Sequence, residues 1–200
     1  NKYWDIALSA GHYVLGTAND DMHYPDRSNR IAVRCNFVAM SEMSRNELYR
    51  ALREGCFYSM RVPDYGCGDW SVKMARNAKV PGITDIGLCN SDIYISLSEC
   101  ADSIKFIGAG HRILHLATEV DSASMKLPCD EPYVRITAYF PSGEVIYTNP
   151  FARYDAATMD APKNDIMYSI NIMYTILFNI AIVAIVVGVI IAYRKLLKLL

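Results

Sequence analysis

Residues 133–151 read YVRITAYFPSGEVIYTNPF and carry the pattern that predicts an antiparallel sheet. Two runs rich in β-branched and aromatic residues flank the turn-forming sequence at residues 141–143. Three similar runs precede them, IYISLS, IKFIGAG and RILHLATEV, with turns expected at residues 101–103 and around residues 128–132. Five strands at this spacing predict a small antiparallel β module, which we place at residues 81–154.

The region before this module, residues 1–80, mixes strand and helix patterns. HYVLGTAND is a short apolar run with β-branched and aromatic residues, and residues 30–40 form a second one, so each predicts a strand. SRNELYRALREG predicts a helix, because Ser44 and Glu47 form a capping box and Gly55 supplies a C-terminal stop. We therefore expect an αβ region ahead of the β module.

An uncharged apolar run, Ile170 to Tyr193, lies near the C-terminus. A helix rises about 1.5 Å per residue and the hydrocarbon core is about 30 Å thick, so roughly 20 residues suffice to span it. IAIVAIVVGVIIAY has no polar face at any helical period, which argues against a buried core helix. The sequence predicts a transmembrane helix at residues 169–193, preceded by a polar linker at residues 155–168 and followed by a basic tail at residues 194–200.

Lysine and arginine are unevenly distributed around this run. Arg194, Lys195 and Lys198 follow it, whereas Arg153 and Lys163 lie among aspartates before it. Because basic flanks favour the cytoplasmic side, the soluble part is expected to be extracytoplasmic. The net charge of −1 and the lack of a basic stripe in that part argue against binding to nucleic acid.

Six cysteines are present, and none is spaced as CxxC, so a zinc knuckle is not expected. Unpaired thiols and one or more disulfides are both compatible with this count.

The stretch TANDDMHYPDR, residues 17–27, gathers acidic side chains around a histidine. In an extended backbone, side chains two residues apart share a face, so Asp21 and His23 can converge on one cation while Asp20 points elsewhere. Carboxylate oxygen and imidazole nitrogen suit zinc, manganese or iron. The same residues also fit a solvated turn, and the triplet by itself leaves both interpretations open.

The surroundings of this triplet carry a family resemblance. The strand ending in GTANDDMH, the helix ELYRALREG and the segment CFYSMRVP that follows it resemble the C-terminal part of the PHP superfamily, named for polymerase and histidinol phosphatase. EPYVRITAYFPSGEVIYTNPF is similar to the ending of PHP metallohydrolases that carry a C-terminal β appendage. The resemblance covers residues 1–154. It implies an α/β fold, the C-terminal part of a distorted β/α barrel, followed by the antiparallel β module and one transmembrane helix.

This resemblance also implies an activity, the hydrolysis of a phosphate ester or related ester. Two or three divalent metals (Mn, Zn or Fe) would lower the pKa of bound water from about 15.7 towards neutrality. Carried over by position, Asp21 and His23 are metal ligands. The H-x-H that opens the family pattern does not occur in this sequence, so the resemblance implies that the chain is the C-terminal portion of a membrane-anchored enzyme.

Two further residues are candidates for substrate binding. Arg27 lies closest in sequence to the proposed ligands and is the preferred contact for an anionic group. Tyr58 occupies the position at which the family places an aromatic side chain near its pocket, although an aromatic residue after a helix stop is more often part of the core. Arg53 is interpreted as a solvated helix residue, and His111 and His115 as histidines on the surface of a sheet.

The alternative function is non-enzymatic. In that interpretation the chain is a surface-displayed β module for adhesion or structural interaction, and its acidic loop binds at most a structural cation. An H-x-H and further His and Glu ligands upstream in the full-length gene would favour the hydrolase.

Overall fold

The computed structural model describes residues 2–21, 23, 32–63, 70–153 and 171–197. Its helices are α1 (Lys2–Ser9), α2 (Arg45–Glu54), α3 (Trp70–Asn77) and α4 (Ile172–Leu197), and a 3₁₀ turn covers Ala109–His111. Its strands are β1 (Arg34–Val38), β2 (Phe57–Arg61), β3 (Ile83–Cys89), β4 (Asp92–Ile107), β5 (Ile113–Lys126), β6 (Tyr133–Tyr139), β7 (Val145–Thr148) and β8 (Phe151–Ala152). The chain divides into two compact units, Asn1–Asn164 and Asp165–Leu200.

The first unit is built on an antiparallel sheet of eight strands. The strands run in the order β1-β2-β7-β6-β4-β3, with β5 paired to β4 and β8 paired to β6. The hairpin predicted at residues 133–151 is confirmed, since β6 and β7 pair antiparallel across the turn at residues 141–143. This hairpin lies inside the sheet, between β2 on one side and β4 on the other.

The prediction of a distorted β/α barrel is wrong. A barrel of that kind needs parallel strands joined by crossover helices, whereas β1 pairs antiparallel with β2 and β2 antiparallel with β7. Helix α2 connects β1 and β2 without making them parallel. The first part of the chain therefore extends the same antiparallel sheet to which the predicted β module belongs.

Three local predictions also differ from the structure. HYVLGTAND is not a strand, because residues 12–20 have no regular secondary structure. The turn expected at residues 101–103 is absent, and β4 runs through this point with a register irregularity against β5 between Ser96 and Ala101. Helices α1 and α3 and strand β3 were not predicted.

Helix α2 forms as its sequence predicts. The Ser44 hydroxyl accepts a hydrogen bond from the backbone N–H of Glu47 at 3.2 Å, and Gly55 ends the helix with φ of 78°. Arg50 donates to both Glu47 and Glu54 on the exposed face. The Ser44 cap and the glycine stop are confirmed, whereas the reciprocal half of the capping box is absent, because the Ser44 N–H donates to the Glu42 carbonyl and the Glu47 carboxylate accepts from Ser41 and Arg50.

Strand β6 is the centre of the fold because it is buried on both faces. Val134, Ile136 and Ala138 belong to the apolar core, together with residues of β2, β4 and β7. Arg135 and Thr137, which alternate with them, are buried on the opposite face. A strand that is buried on both faces must be covered on both. On the face of Arg135, part of the cover is α1, whose Asp5 accepts a hydrogen bond from Arg135.

Helix α4 forms the described part of the second unit. It has no acidic residue, its basic residues Arg194 and Lys195 lie in the last turn, and it is long and apolar enough to cross a membrane. The prediction of one apolar helix of spanning length is confirmed, with bounds shifted from residues 169–193 to Ile172–Leu197. The linker predicted at residues 155–168 lies outside the described residues.

Candidate functional site

The segment that carries the D-x-H triplet is attached to the sheet by side chains. The Asn149 side-chain oxygen accepts from the backbone N–H of Gly16 at 2.9 Å, and the Asn36 side-chain oxygen accepts from that of Ala18 at 2.8 Å. Ser59 donates its hydroxyl proton to the Gly16 carbonyl at 2.7 Å. These hydrogen bonds replace the strand ladder that the sequence had predicted, and they fix the path of the chain into the acidic loop.

Asp20 closes this loop as a structural clip. Its Oδ1 accepts from the backbone N–H groups of Val33 at 3.0 Å and of Arg34 at 2.6 Å, and its Oδ2 accepts from that of Ala32. Three backbone donors therefore converge on one carboxylate, which ties the loop to the start of β1. The prediction that Asp20 points away from Asp21 and His23 agrees with these contacts.

Asp21 and His23 lie on the exposed side of the loop. Their side chains are 90% and 70% exposed, and the Asp21 carboxylate lies 3.9 Å from the His23 Nδ1. That Nδ1 lies 2.7 Å from the Asp21 carbonyl oxygen, which can only accept, so Nδ1 is the donor and the neutral ring keeps its lone pair on Nε2. Asp21 has φ of 49°, a left-handed conformation that aspartate tolerates, and the Asn19 side chain accepts from its N–H.

The side chains of this pair keep polar atoms that no described group uses. Among the described residues, no hydrogen bond reaches the Asp21 carboxylate oxygens or the His23 Nε2. A backbone carbonyl that holds one ring nitrogen of a metal-ligating histidine is the usual second contact of such ligands. Within the described ranges, no group of three or more His, Cys, Asp or Glu residues is placed to hold a metal ion.

The two predicted substrate-binding residues were Arg27 and Tyr58. Arg27 lies outside the described residues. Tyr58 stacks on Phe37, with ring centroids 5.2 Å apart, and lines a cleft whose lining residues include neither Asp21 nor His23. Arg53 is exposed on α2, in agreement with its interpretation.

The two C-terminal histidines differ from one another. His115 lies on β5, as predicted, with its ring 5.6 Å from that of Phe106. His111 is not a sheet residue. It ends the 3₁₀ turn with φ of 67° and its Nδ1 lies 2.5 Å from the Asp5 carboxylate.

Sequence reasoning missed the polar network to which His111 belongs. Arg135, fully buried, donates from Nε and Nη2 to the two carboxylate oxygens of Asp5, each at 2.7 Å, and from Nη1 to Thr137 at 3.0 Å. Tyr133 donates to the Gly108 carbonyl at 2.9 Å and its hydroxyl lies 3.1 Å from Asp5. The sequence did contain one indication of this buried network. The arginine in YVRITAY is a charged residue among the apolar residues of a central strand.

The network sets the ionisation of its members. Burial alone would raise the pKa of Asp5, but hydrogen bonds from Arg135 and His111 outweigh it and hold that pKa below its ordinary value. Burial and the neighbouring Asp5 carboxylate raise the pKa of Tyr133 to about 12, so its hydroxyl stays a donor at neutral pH. Because α1 carries Asp5 and β6 carries Arg135, the network attaches the helix to the sheet.

The cleft that Tyr58 lines, called the apolar cleft below, has a volume of about 900 Å³. It is lined by residues of β1, β2, β3 and β8. Its walls include Phe37, Tyr58, Ile83, Ile86, Leu127 and Phe151. Phe37 pairs directly with Tyr58 across β1 and β2, and Asn36 pairs with Ser59. Since side chains alternate along a strand, the cleft and the segment held by Asn36 and Ser59 lie on opposite faces of β1 and β2.

The described cysteines, Cys35, Cys56, Cys89, Cys100 and Cys129, form no disulfide with one another. Cys67 lies outside the described residues.

No protein-family model, curated protein or solved structure matches this chain.

Proposed function

We propose that this chain is a membrane-anchored portion of a metal-dependent hydrolase of the PHP type, in which Asp21 and His23 supply two metal ligands. The observation that carries the proposal is the contrast between two adjacent carboxylates. Asp20 is committed to three backbone N–H groups, whereas the Asp21 carboxylate is exposed and lies 3.9 Å from the Nδ1 of the exposed His23. The proposal concerns this ligand pair and does not depend on a barrel.

The donor set fits a divalent transition metal. A carboxylate oxygen and a neutral imidazole nitrogen suit Mn, Zn or Fe, and the Asp21 carbonyl selects the tautomer that a ligand needs. Two or three such ions would supply an activated water and positive charge near the ester oxygen of the substrate. Asp20 positions the pair by closing the loop. The remaining ligands are assigned to polypeptide outside the described residues.

The substrate class is a phosphate ester or a related ester. This assignment follows from the resemblance of the triplet and its surroundings to PHP hydrolases. Arg27 remains the predicted contact for an anionic substrate group. Tyr58 lines the apolar cleft, which does not include Asp21 or His23. Tyr58 could contact the substrate of these ligands only if a substrate or a partner segment extended from the ligands to the cleft.

The ligand proposal is tested on the ring nitrogens of His23. The full chain, reconstituted in lipid nanodiscs and labelled with ¹⁵N in histidine, is titrated with Mn²⁺ while long-range ¹⁵N spectra are recorded. We expect the His23 signals to show the Nδ1-protonated tautomer and to broaden first. His115 provides the matched control, because it lies on β5, away from the triplet.

Replacement variants complete this test. Asp21→Ala should weaken the broadening at His23, whereas Asp121→Ala, on β5, should not. A His23 signal that Mn²⁺ and Zn²⁺ leave unchanged would refute the ligand assignment. In the full-length protein, the double variant Asp21→Ala/His23→Ala should lose bound Mn, Zn or Fe by elemental analysis and lose ester hydrolysis.

The proposed location is a membrane, with the first unit on the extracytoplasmic side. Helix α4 supports the anchor by its length and composition, and the basic residues after the apolar run support the orientation. Exposed Cys89, Cys100 and Cys129 serve as reporters. A membrane-impermeant thiol reagent applied to intact cells under reducing conditions should label them. Labelling that requires permeabilisation would reverse the orientation.

A non-catalytic binding module is the second candidate function. The apolar cleft favours it, because a concave apolar site of this volume lies within the range of sites for small ligands, about 300–1,000 Å³. The two candidates make opposite predictions for ester hydrolysis, since a binding module holds at most a structural cation at the acidic loop and hydrolyses no ester.

A further inference from the structure

Two arginines face each other at one end of strands β1 and β2. Arg34 and Arg61 are direct partners in the antiparallel register, and both are exposed. The backbone N–H of Val62 donates to the Val33 carbonyl at 2.7 Å, so the hydrogen bond lies beside the arginine pair rather than within it. The side chains of such a non-hydrogen-bonded pair lie closer together than those of a hydrogen-bonded one, because the Cα atoms are only about 4.5 Å apart.

The two positive charges of this arginine pair are not compensated by described protein groups. Within the part of the chain that the structure describes, neither guanidinium forms an ion pair or a hydrogen bond. Like charges directly opposite each other on neighbouring strands destabilise a sheet. An anion between them would remove this cost. A phosphate group suits the position, since its oxygens accept hydrogen bonds from the planar N–H forks of arginines.

The arginine pair shares a face of the sheet with the segment that leads to the D-x-H triplet. Side chains two residues apart on a strand lie on the same face, so Arg34 and Arg61 lie on the face of Asn36 and Ser59. Asn36 and Ser59 hold the backbone of residues 16–18 by hydrogen bonds. The apolar cleft lies on the opposite face of these two strands and is therefore separate from the arginine pair.

The segment continues from this face to the start of β1. The Asp20 carboxylate accepts from the backbone N–H of Arg34 at 2.6 Å, and Asp21 is the next residue in the chain. Asp20 uses its carboxylate on backbone N–H groups and forms no ion pair with a described guanidinium. The first proposed metal ligand therefore follows directly after a residue that is bound to one member of the arginine pair.

We propose that Arg34 and Arg61 bind the phosphate group of the substrate, and that this substrate is a phosphate monoester. The inference rests on the proposed function and narrows its substrate class. Two guanidinium charges match a phosphate monoester, which carries close to two negative charges at neutral pH. A phosphate diester carries one negative charge and a carboxylic ester carries none, so both would leave the charges of the pair partly uncompensated.

Phosphate binding is measured by protection of the two arginines from phenylglyoxal, which modifies accessible guanidinium groups. The full chain is kept metal-free in dodecyl maltoside, a detergent without phosphate, and modification of each arginine is followed by mass spectrometry. We expect inorganic phosphate to slow the modification of Arg34 and Arg61 severalfold, relative to chloride at equal ionic strength. Arg53 is the matched control, because it is exposed on α2 and should react at an unchanged rate.

Small esters test the substrate class. Methyl phosphate should protect the arginine pair at a concentration roughly fivefold lower than dimethyl phosphate, as expected for one more exposed charge interaction. Equal protection by the two esters would refute the assignment of a monoester.

Variants test whether the two arginines act together. Arg61→Gln should abolish the protection of Arg34 by phosphate, whereas Arg53→Gln should leave it unchanged. Because Arg61 has no described partner, Arg61→Gln should not lower the unfolding midpoint, so a loss of protection would not reflect a loss of fold. Full protection of Arg34 in the Arg61→Gln variant would refute the pair.

Metal binding and phosphate binding fail separately. The variant Asp21→Ala/His23→Ala should lose metal and keep the phosphate protection of both arginines. If Arg34 and Arg61 of the wild-type chain react equally fast with and without phosphate, this inference is wrong even when His23 binds Mn²⁺. Protection of both arginines in a chain whose His23 does not respond to Mn²⁺ or Zn²⁺ would support the phosphate site and refute the metal ligands.

Discussion

Two aspartate–histidine pairs occur in the first unit, and their surroundings give them different roles. Asp5 and His111 come together from distant parts of the chain, and the Asp5 carboxylate is 2% exposed with both oxygens bonded to Arg135. Asp21 and His23 are neighbours in sequence, and their side chains are largely exposed. The same two residue types therefore form a buried structural contact in one place and an exposed pair in the other.

The difference shows what decides the role of a carboxylate. Burial removes water, so the Asp5 charge must be compensated by protein groups, and Arg135, His111 and Tyr133 provide that compensation. Asp21 remains hydrated and needs no partner. The exposed side chains of Asp21 and His23 keep atoms that a cation could contact. The carboxylate oxygens of Asp5 are instead hydrogen-bonded to Arg135 and His111, and these bonds attach α1 to β6.

The largest expected effect is the removal of the buried carboxylate. Asp5→Ala leaves the guanidinium of Arg135 buried without its counter-charge, and we expect a loss of about 3–5 kcal/mol in unfolding free energy. Amide hydrogen exchange of β6 in the full chain measures it. Asp21→Ala is the matched control and should change that free energy by less than about 0.5 kcal/mol.

The double variant Asp5→Ala/Arg135→Met sharpens this comparison. It removes both charges, so it should recover much of the stability lost in Asp5→Ala. Equal losses in Asp5→Ala and Asp21→Ala would show that the network does not stabilise the fold.

Acid should weaken the buried pair only below the ordinary pKa of an aspartate. The pKa of Asp5 is held below its ordinary value of 3.8, so its contribution is fully present above that pH and is lost as the pH falls through the folded-state pKa. The stability difference between wild type and Asp5→Asn should be constant from pH 7 to about pH 4 and shrink below it. Unfolding midpoints of both proteins across this range provide the measurement. A difference that grows towards low pH would contradict the sign of the shift.

A smaller effect is expected at Asp20, the structural neighbour of Asp21. Asp20→Ala removes the acceptor of three backbone N–H groups, and we expect a loss of about 2 kcal/mol. Asp20→Asn keeps one acceptor oxygen and should lose about half as much. Hydrogen exchange at residues 32–34 measures both. If Asp20→Ala proves as neutral as Asp21→Ala, the division of roles between the two carboxylates is wrong.

Local patterns in the sequence were sufficient for several elements. The capping box at Ser44 and Glu47 and the stop at Gly55 predict α2 because the groups that satisfy a helix end are close in sequence. The hairpin of residues 133–151 follows from alternation and its turn, and the apolar run predicts a helix of spanning length. Asp21 and His23 were predicted to share a face of an extended backbone, whereas Asp21 has a left-handed conformation with φ of 49°.

Other features depended on partners that are distant in sequence. HYVLGTAND has the composition of a strand, yet Asn36 and Asn149 bond its backbone, and no pattern within the run reveals them. The barrel prediction failed for the same reason, since strand direction is set by the neighbours of β1 and β2 across the sheet. The apolar cleft likewise depends on long-range packing, because residues of β1, β2 and β3 line it together although β3 lies at the other end of the strand order.

The sequence by itself determined the antiparallel hairpin, the capped helix and the apolar C-terminal helix, because each rests on contacts within a few residues. The tertiary structure alone decided that Arg135 is buried, that Asp5 compensates it from the other end of the chain, and that Asp20 holds the loop closed. The physical reason is that hydration and charge compensation depend on which distant groups exclude water from a side chain. A local sequence pattern can place a carboxylate in the chain. The surroundings of that carboxylate in the folded protein decide whether it forms a buried ion pair or stays exposed to solvent and to cations.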